Sequence, residues 1–173
     1  MKAAAFHRIV TRDDADLLGR FLRRLDAAGV RYCVIGGQAV NAYVDPLVSL
    51  DLDVAVATEQ ISGIQSVLSE FHMQRFPHSL NFTLEGSDLR VQIQTDPRYG
   101  AFVGRAKPRS VLGVTMPVAC MEDVLAGKVW AVSDESRRPS KRQKDLADIA
   151  RLIEAYPPLR DRVPQAVLHR LLG

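Results

Sequence analysis

The chain has 173 residues, 47% of them hydrophobic and 25% charged, which suits one globular domain, or one domain with a helical appendage, around a real core. Its net charge of +3 and pI near 9.1 permit an anionic ligand such as a nucleotide or RNA without requiring one. Two cysteines, Cys33 and Cys120, exclude a disulfide scaffold, and no apolar run approaches the roughly 20 residues that span a bilayer.

At the N-terminus, Lys2 precedes a short apolar stretch that His7, Arg8, Arg12 and Asp13 break too early for a secretory leader. The expected location is therefore the cytoplasm. Thr11 reads as a helix cap, with Asp13 and Asp14 in the first turn. Leu17, Leu18, Phe21, Leu22 and Leu25 recur at helical spacing, and Gly29 stops the helix. Tyr32 to Ile35 reads as a buried strand, which makes Cys33 a buried free thiol. Gly36-Gly37 follows, and Gln38 to Tyr43 reads as a short helix.

Asp51 to Val56 is a second strand. Thr58-Glu59-Gln60 opens a helix whose core face is Ile61, Ile64, Val67 and Leu68. Phe82 to Leu84, a turn at Glu85-Gly86-Ser87-Asp88, and Leu89 to Gln94 predict a hairpin. Val111 to Val118 predicts a last short strand. Helices are then expected over Glu122 to Val132, Ser140 to Ala155 and Val163 to Leu172, with Pro157-Pro158 between the last two. The expectation is an α/β (α+β) mixed sheet flanked by helices: a core over residues 1–118 and a C-terminal helical part over 119–173, packed on it. Residues 137–144 hold five basic side chains and no acid. They read equally as a solvated helix start or as an anion-facing patch.

The chemistry concentrates in the strand, Gly-Gly, helix, Asp51-Leu52-Asp53 unit. Glycines after a strand let backbone approach a phosphate closely, and the following helix aims free N–H groups at it. Residues i and i+2 of a strand share a face, so Asp51 and Asp53 project together, about 6.6 Å apart at the backbone. Converging carboxylates favour a cation, and magnesium takes one or two carboxylates together with substrate phosphates. An isolated Asp-x-Asp, or an isolated Gly-Gly, is usually just a surface strand or a turn. Their combination in this order is far more specific. The four histidines lack metal-ligand spacing, and the chain has no nucleophile elbow, Walker loop or dinucleotide fingerprint.

Val34-Ile35-Gly36-Gly37 through Asp51-Leu52-Asp53-Val54 resembles the signature of the DNA polymerase β-like nucleotidyltransferase superfamily, in its AbiEii-type toxin and minimal nucleotidyltransferase branch. Ser49 is similar to the Ser or Thr that branch often carries two residues before the first Asp. Met121 to Ala131, with Lys128, resembles a second family helix. Arg142 to Ile149, with Asp145, resembles a third, and the likeness covers roughly residues 30 to 155.

The resemblance implies transfer of a nucleoside monophosphate from a nucleoside triphosphate (NTP) to an acceptor hydroxyl. It implies Asp51, Asp53, Lys128 and Asp145 as catalytic residues, with Mg²⁺ or Mn²⁺ on Asp51 and Asp53. Gly36, Gly37, Ser49 and Lys128 would contact the NTP. The acceptor would be RNA, such as a tRNA end, or a small molecule such as an antibiotic, and the partner a cognate antitoxin. No membrane partner is implied.

Lys128 draws attention independently. It sits among Val124, Leu125, Ala131 and Val132 at helical spacing, where a lysine either snorkels to water or reaches a phosphate or carboxylate in a cleft. Asp145 is placed to pair with Lys128 or with Lys141. One position departs from the family pattern. Active members usually carry a third carboxylate on a neighbouring strand, and here that position reads as Gln92, with Asp88 or Asp96 as conceivable substitutes. The alternative function is a catalytically degenerate module that binds a nucleotide or RNA. A purely structural role would leave Lys128 unexplained.

Overall fold

The computed structural model describes residues 9–172; the leader reading at residues 1–8 lies outside them. The helix α1 spans Leu17–Ala27 and begins later than the sequence suggests. Arg12 and Asp16 have φ of 45° and 55°, so helical backbone cannot run through them. The Asp13 side chain caps the N-terminus of this helix. Its buried carboxylate accepts the Leu17 N–H at 2.7 Å and the Leu18 N–H at 3.2 Å. Gly29, at φ 62°, ends the helix as expected.

The elements that follow are β1 (Tyr32–Ile35), α2 (Gly36–Asn41) and β2 (Asp51–Val56). A 3₁₀ turn at Thr58–Gly63 leads into α3 (Ile64–Val67). Next come β3 (His72–Phe76), β4 (Ser79–Thr83) and β5 (Arg90–Gln94), then a 3₁₀ segment at Pro97–Arg105. β6 (Lys107–Val111) and β7 (Val114–Val118) precede α4 (Met121–Ser133) and α5 (Pro139–Ala155). A 3₁₀ turn at Pro157–Arg162 separates α5 from α6 (Gln165–Leu172).

The seven strands form one mixed sheet in the order β3-β4-β5-β2-β1-β7-β6. β2 lies antiparallel to β1 and parallel to β5. The last strand, expected unbroken over Val111 to Val118, is interrupted: its first residue ends β6 and only Val114–Val118 forms β7. Leu112 and Gly113, both at positive φ, turn the chain so that Lys107–Val111 pairs antiparallel with Val114–Val118.

Alternation along β2 positions the chemistry. Leu52 and Val54 are fully buried, each contributing roughly 1.5–3 kcal/mol of apolar burial, while Asp51 and Asp53 keep partial exposure on the other face. β5 repeats the pattern: Val91 and Ile93 are fully buried, and Arg90, Gln92 and Gln94 share the face of the two aspartates. α4 and α5 pack on each other and against α2, closing a cleft over that face. No helix among the described residues is long and apolar enough to cross a membrane.

Candidate active site

The cleft is lined by Gly36, Gly37, Ser49, Asp51, Asp53, Lys128 and Asp145, so the residues that the resemblance implies as catalytic or NTP-contacting meet there. Gln92, Tyr99, Asp123, Arg137, Lys141 and Lys144 complete its walls.

The two glycines do different work. Gly36 has φ of 67°, and a Cβ built on it would lie 2.9 Å from the Asp53 Cβ and overlap the carboxylate. Asp53 can stand on its strand only because residue 36 has no side chain. A Cβ on Gly37 would meet nothing nearer than Asp148 Oδ2 at 4.0 Å. Gly36→Ala is therefore expected to cost about 1–2 kcal/mol for its backbone conformation alone, plus displacement of Asp53. Gly37→Ala should be neutral or stabilising by up to about 1 kcal/mol, since alanine is the better helix former. Chemical denaturation of both variants checks the contrast, and equal losses would contradict it.

Lys128 does not snorkel. It is 7% exposed, and its Nζ lies 3.0 Å from Asp145 Oδ1 and 2.7 Å from Asp148 Oδ2. Burial alone would depress its pKa, but Asp148 and Asp145 outweigh that and hold it above the usual lysine range. Lys128 is thus a fixed cation at neutral pH and cannot accept a proton. Its hydrogen bond goes to Asp145 Oδ1, the Asp148 contact is an ion pair, and the ammonium itself lines the cleft.

The pair extends into a chain of charges. Arg137 Nε lies 2.6 Å from Asp145 Oδ2, and Arg151 lies 2.9 Å from Asp148 Oδ1. Arg151 also donates to Asn41 Oδ1 at 3.1 Å, tying α5 to α2. Lys141, the other conceivable partner of Asp145, lies instead 3.6 Å from Asp51 Oδ2.

Asp53 faces a different environment. Burial pushes its carboxyl above the usual carboxylate range, Lys128 pulls it back, and neighbouring Asp51 adds to the rise. Gln92 is in direct register with Asp53 across the parallel β2–β5 ladder and lines the cleft. Neither conceivable substitute for it reaches the site. Asp96 caps the 3₁₀ segment, accepting the Arg98 N–H at 3.0 Å and pairing with the Arg98 guanidinium, which holds its pKa low. Asp88 faces Arg12 at 3.8 Å on the surface.

Sequence reasoning passed over Asp148, which approaches Lys128 more closely than Asp145 does. Its signal was present: Asp145 and Asp148 stand three residues apart on one helix and so share a face. It also passed over Asp123, held by Arg105 at 2.8 Å, and Tyr99, whose hydroxyl burial pushes up to about 12. Cys33 is buried and free, its thiol likewise pushed up to about 12 by burial.

The family model described as nucleotidyl transferase AbiEii toxin, type IV TA system, matches residues 20–172. Among solved structures, the antibiotic-resistance factor ANT(2'')-Ia superposes with a TM-score of 0.55 at 11% identity, over 89% of this chain and 94% of that one. The lincosamide antibiotic adenylyltransferase LnuA, lincomycin-bound, gives 0.52 at 11% identity, over 78% of this chain and 95% of that one. An antigenic nucleotidyltransferase-like protein from Paracoccidioides brasiliensis gives 0.53 at 16% identity, over 83% and 77%. At these identities the likeness is one of fold. A comparison with curated protein sequences finds no match.

Proposed function

Since this chain belongs to the AbiEii nucleotidyl transferase toxin family of type IV toxin–antitoxin systems, we propose that it transfers a nucleoside monophosphate from an NTP to an acceptor hydroxyl with a divalent metal. The observation that carries this is the convergence of Gly36, Asp51, Asp53, Lys128 and Asp145 on one cleft. Asp51 and Asp53 fit a magnesium or manganese ion, because they offer hard oxygens from one strand face. Among the described residues no group of three or more His, Cys, Asp or Glu side chains is arranged to hold a metal, so NTP oxygens and water complete the set. When bound, the ion supplies charge neutralisation on the phosphates and activation of the attacking hydroxyl.

The protein's own part is positioning and electrostatics. Gly36 and Gly37 let backbone N–H groups approach the phosphates. Ser49 lines the cleft and its hydroxyl accepts the Asp51 N–H. Lys128 offers its positive charge to the phosphates and stays protonated throughout, and Asp145 and Asp148 fix its position. Lys141, Lys144 and Arg137 add to the lining a positive field suited to an RNA acceptor. A small antibiotic is the competing acceptor class, since one solved ANT(2'')-Ia structure holds adenylyl-2''-tobramycin. A cognate antitoxin is the proposed protein partner. Incubating the protein with α-labelled NTPs, magnesium and either total RNA or a panel of aminoglycosides and lincosamides tests the reading. Label should appear on RNA, and label on an antibiotic alone would reassign the acceptor.

Gln92 supports the second reading, a binding module without chemistry. A neutral amide opposite Asp53 neither takes a proton nor holds magnesium well. Gln92→Glu is expected to tighten metal binding and to raise transfer by roughly 10²-fold, the low end of what a positioned base contributes. Tighter metal binding with unchanged transfer would show that another group takes the proton.

A further inference from the structure

Asp51 is already engaged on both oxygens. Its Oδ1 lies 2.8 Å from Arg90 Nε, and its Oδ2 lies 3.6 Å from Lys141 Nζ. Arg90 is fixed there by topology, because Asp51 and Arg90 are registered partners in the parallel β2–β5 ladder. Neighbouring strands lie about 4.8 Å apart, so Arg90 is rooted beside Asp51; it stands at the edge of the cleft rather than in its lining and reaches the site through the Asp51 carboxylate. The Arg90 side chain is 55% exposed, so water can solvate it once it leaves Asp51.

Resting on the nucleotidyl-transfer reading above, we propose that Arg90 is a specificity-determining residue: it occupies Asp51 in the absence of ligand, yields it to a divalent cation that arrives with a triphosphate, and then pairs with that triphosphate. A bare metal ion would have to displace Arg90 and Lys141 from Asp51. It would leave two unpaired cations beside itself, with Lys128 and Arg137 nearby on the same cleft. A triphosphate removes that conflict by supplying new partners for the freed cations. A guanidinium suits phosphate oxygens because its fork donates two parallel hydrogen bonds. Metal and triphosphate therefore bind cooperatively, and each raises the affinity of the other by the same factor.

The test uses the full chain and manganese, titrated with and without a non-hydrolysable triphosphate, with free manganese read by electron paramagnetic resonance. The wild type should bind manganese weakly alone and strongly with the triphosphate. Arg90→Gln should bind manganese alone about tenfold more tightly, and the coupling factor between the two ligands should fall by about tenfold, within the usual range of such couplings. Arg90→Lys, which keeps the charge but loses the fork, should fall between them. Matched melting temperatures without ligand establish that the variants are folded. Cooperative binding by the wild type with an unchanged coupling factor in Arg90→Gln would overturn the role of Arg90 and leave the transfer reading standing. Failure of the wild type to bind manganese and triphosphate in any combination would overturn both.

Discussion

Replacing Lys128 with Met should lower stability by about 3–5 kcal/mol, the loss typical of removing one partner from a buried ion pair. For a chain of this length that is a fall in melting temperature of roughly 10 °C. The cause is the placement of the ammonium between Asp145 and Asp148, both 2% exposed. Arg137 and Arg151 stay paired with those carboxylates, but the two acids lose the cation that separates them. Adding Asp148→Asn to Lys128→Met should recover part of the loss, since it removes one of the stranded charges. Non-additivity in this double-mutant cycle measures the coupling directly.

The pH dependence has a definite sign. Because the folded pKa of Lys128 lies above its ordinary value, its contribution is present below the ordinary lysine pKa and is lost as pH rises through the raised one. The wild-type advantage should therefore hold at neutral pH and shrink only in strong alkali. A loss below about 1 kcal/mol in Lys128→Met would match an exposed pair and contradict the buried bridge.

How much of this was legible in the sequence depended on where burial leaves a mark. Asp51-Leu52-Asp53-Val54 alternates because one face of β2 is core, so the strand and the shared face of its acids could be read directly. The same holds for the apolar stripe around Lys128. β3 and β6 were not legible. Both are edge strands, mostly exposed, and β6 carries Lys107, Pro108 and Arg109, residues that guard an edge and break any apolar rhythm.

The start of α1 was misplaced because the cap is supplied by Asp13 from four residues upstream of Leu17, across a positive-φ turn that no propensity announces. The pairing of Arg90 with Asp51 lay beyond reach for another reason. It depends on the register of two parallel strands separated by a helical turn and a hairpin, which tertiary packing alone decides. Gln92 was found because the resemblance fixed its strand, and the register places it opposite Asp53.

The second large effect concerns the aspartates. Asp51→Asn with Asp53→Asn should reduce metal-dependent nucleotidyl transfer by roughly 10²–10³-fold or more, the scale of losing about 3–4 kcal/mol of transition-state stabilisation. Loss of fold should not confuse the result. Asp51 gives up partly exposed pairings with Arg90 and Lys141, each worth at most about 1 kcal/mol. Asp53 has a raised folded pKa, so stability is greatest below the ordinary carboxylate pKa and falls as pH rises through the raised one. At neutral pH its ionised form opposes folding in the absence of metal, and an amide there should leave the ligand-free protein as stable or more so.

The most direct measurement of the central claim is transfer of α-labelled NTP to acceptor RNA by the wild type and by this double variant, each with magnesium and with a chelator. Label should be transferred by the wild type with magnesium, with none transferred in chelator and none by the folded double variant. Equal transfer by the double variant and the wild type would contradict the assignment of Asp51 and Asp53 as the metal-holding pair.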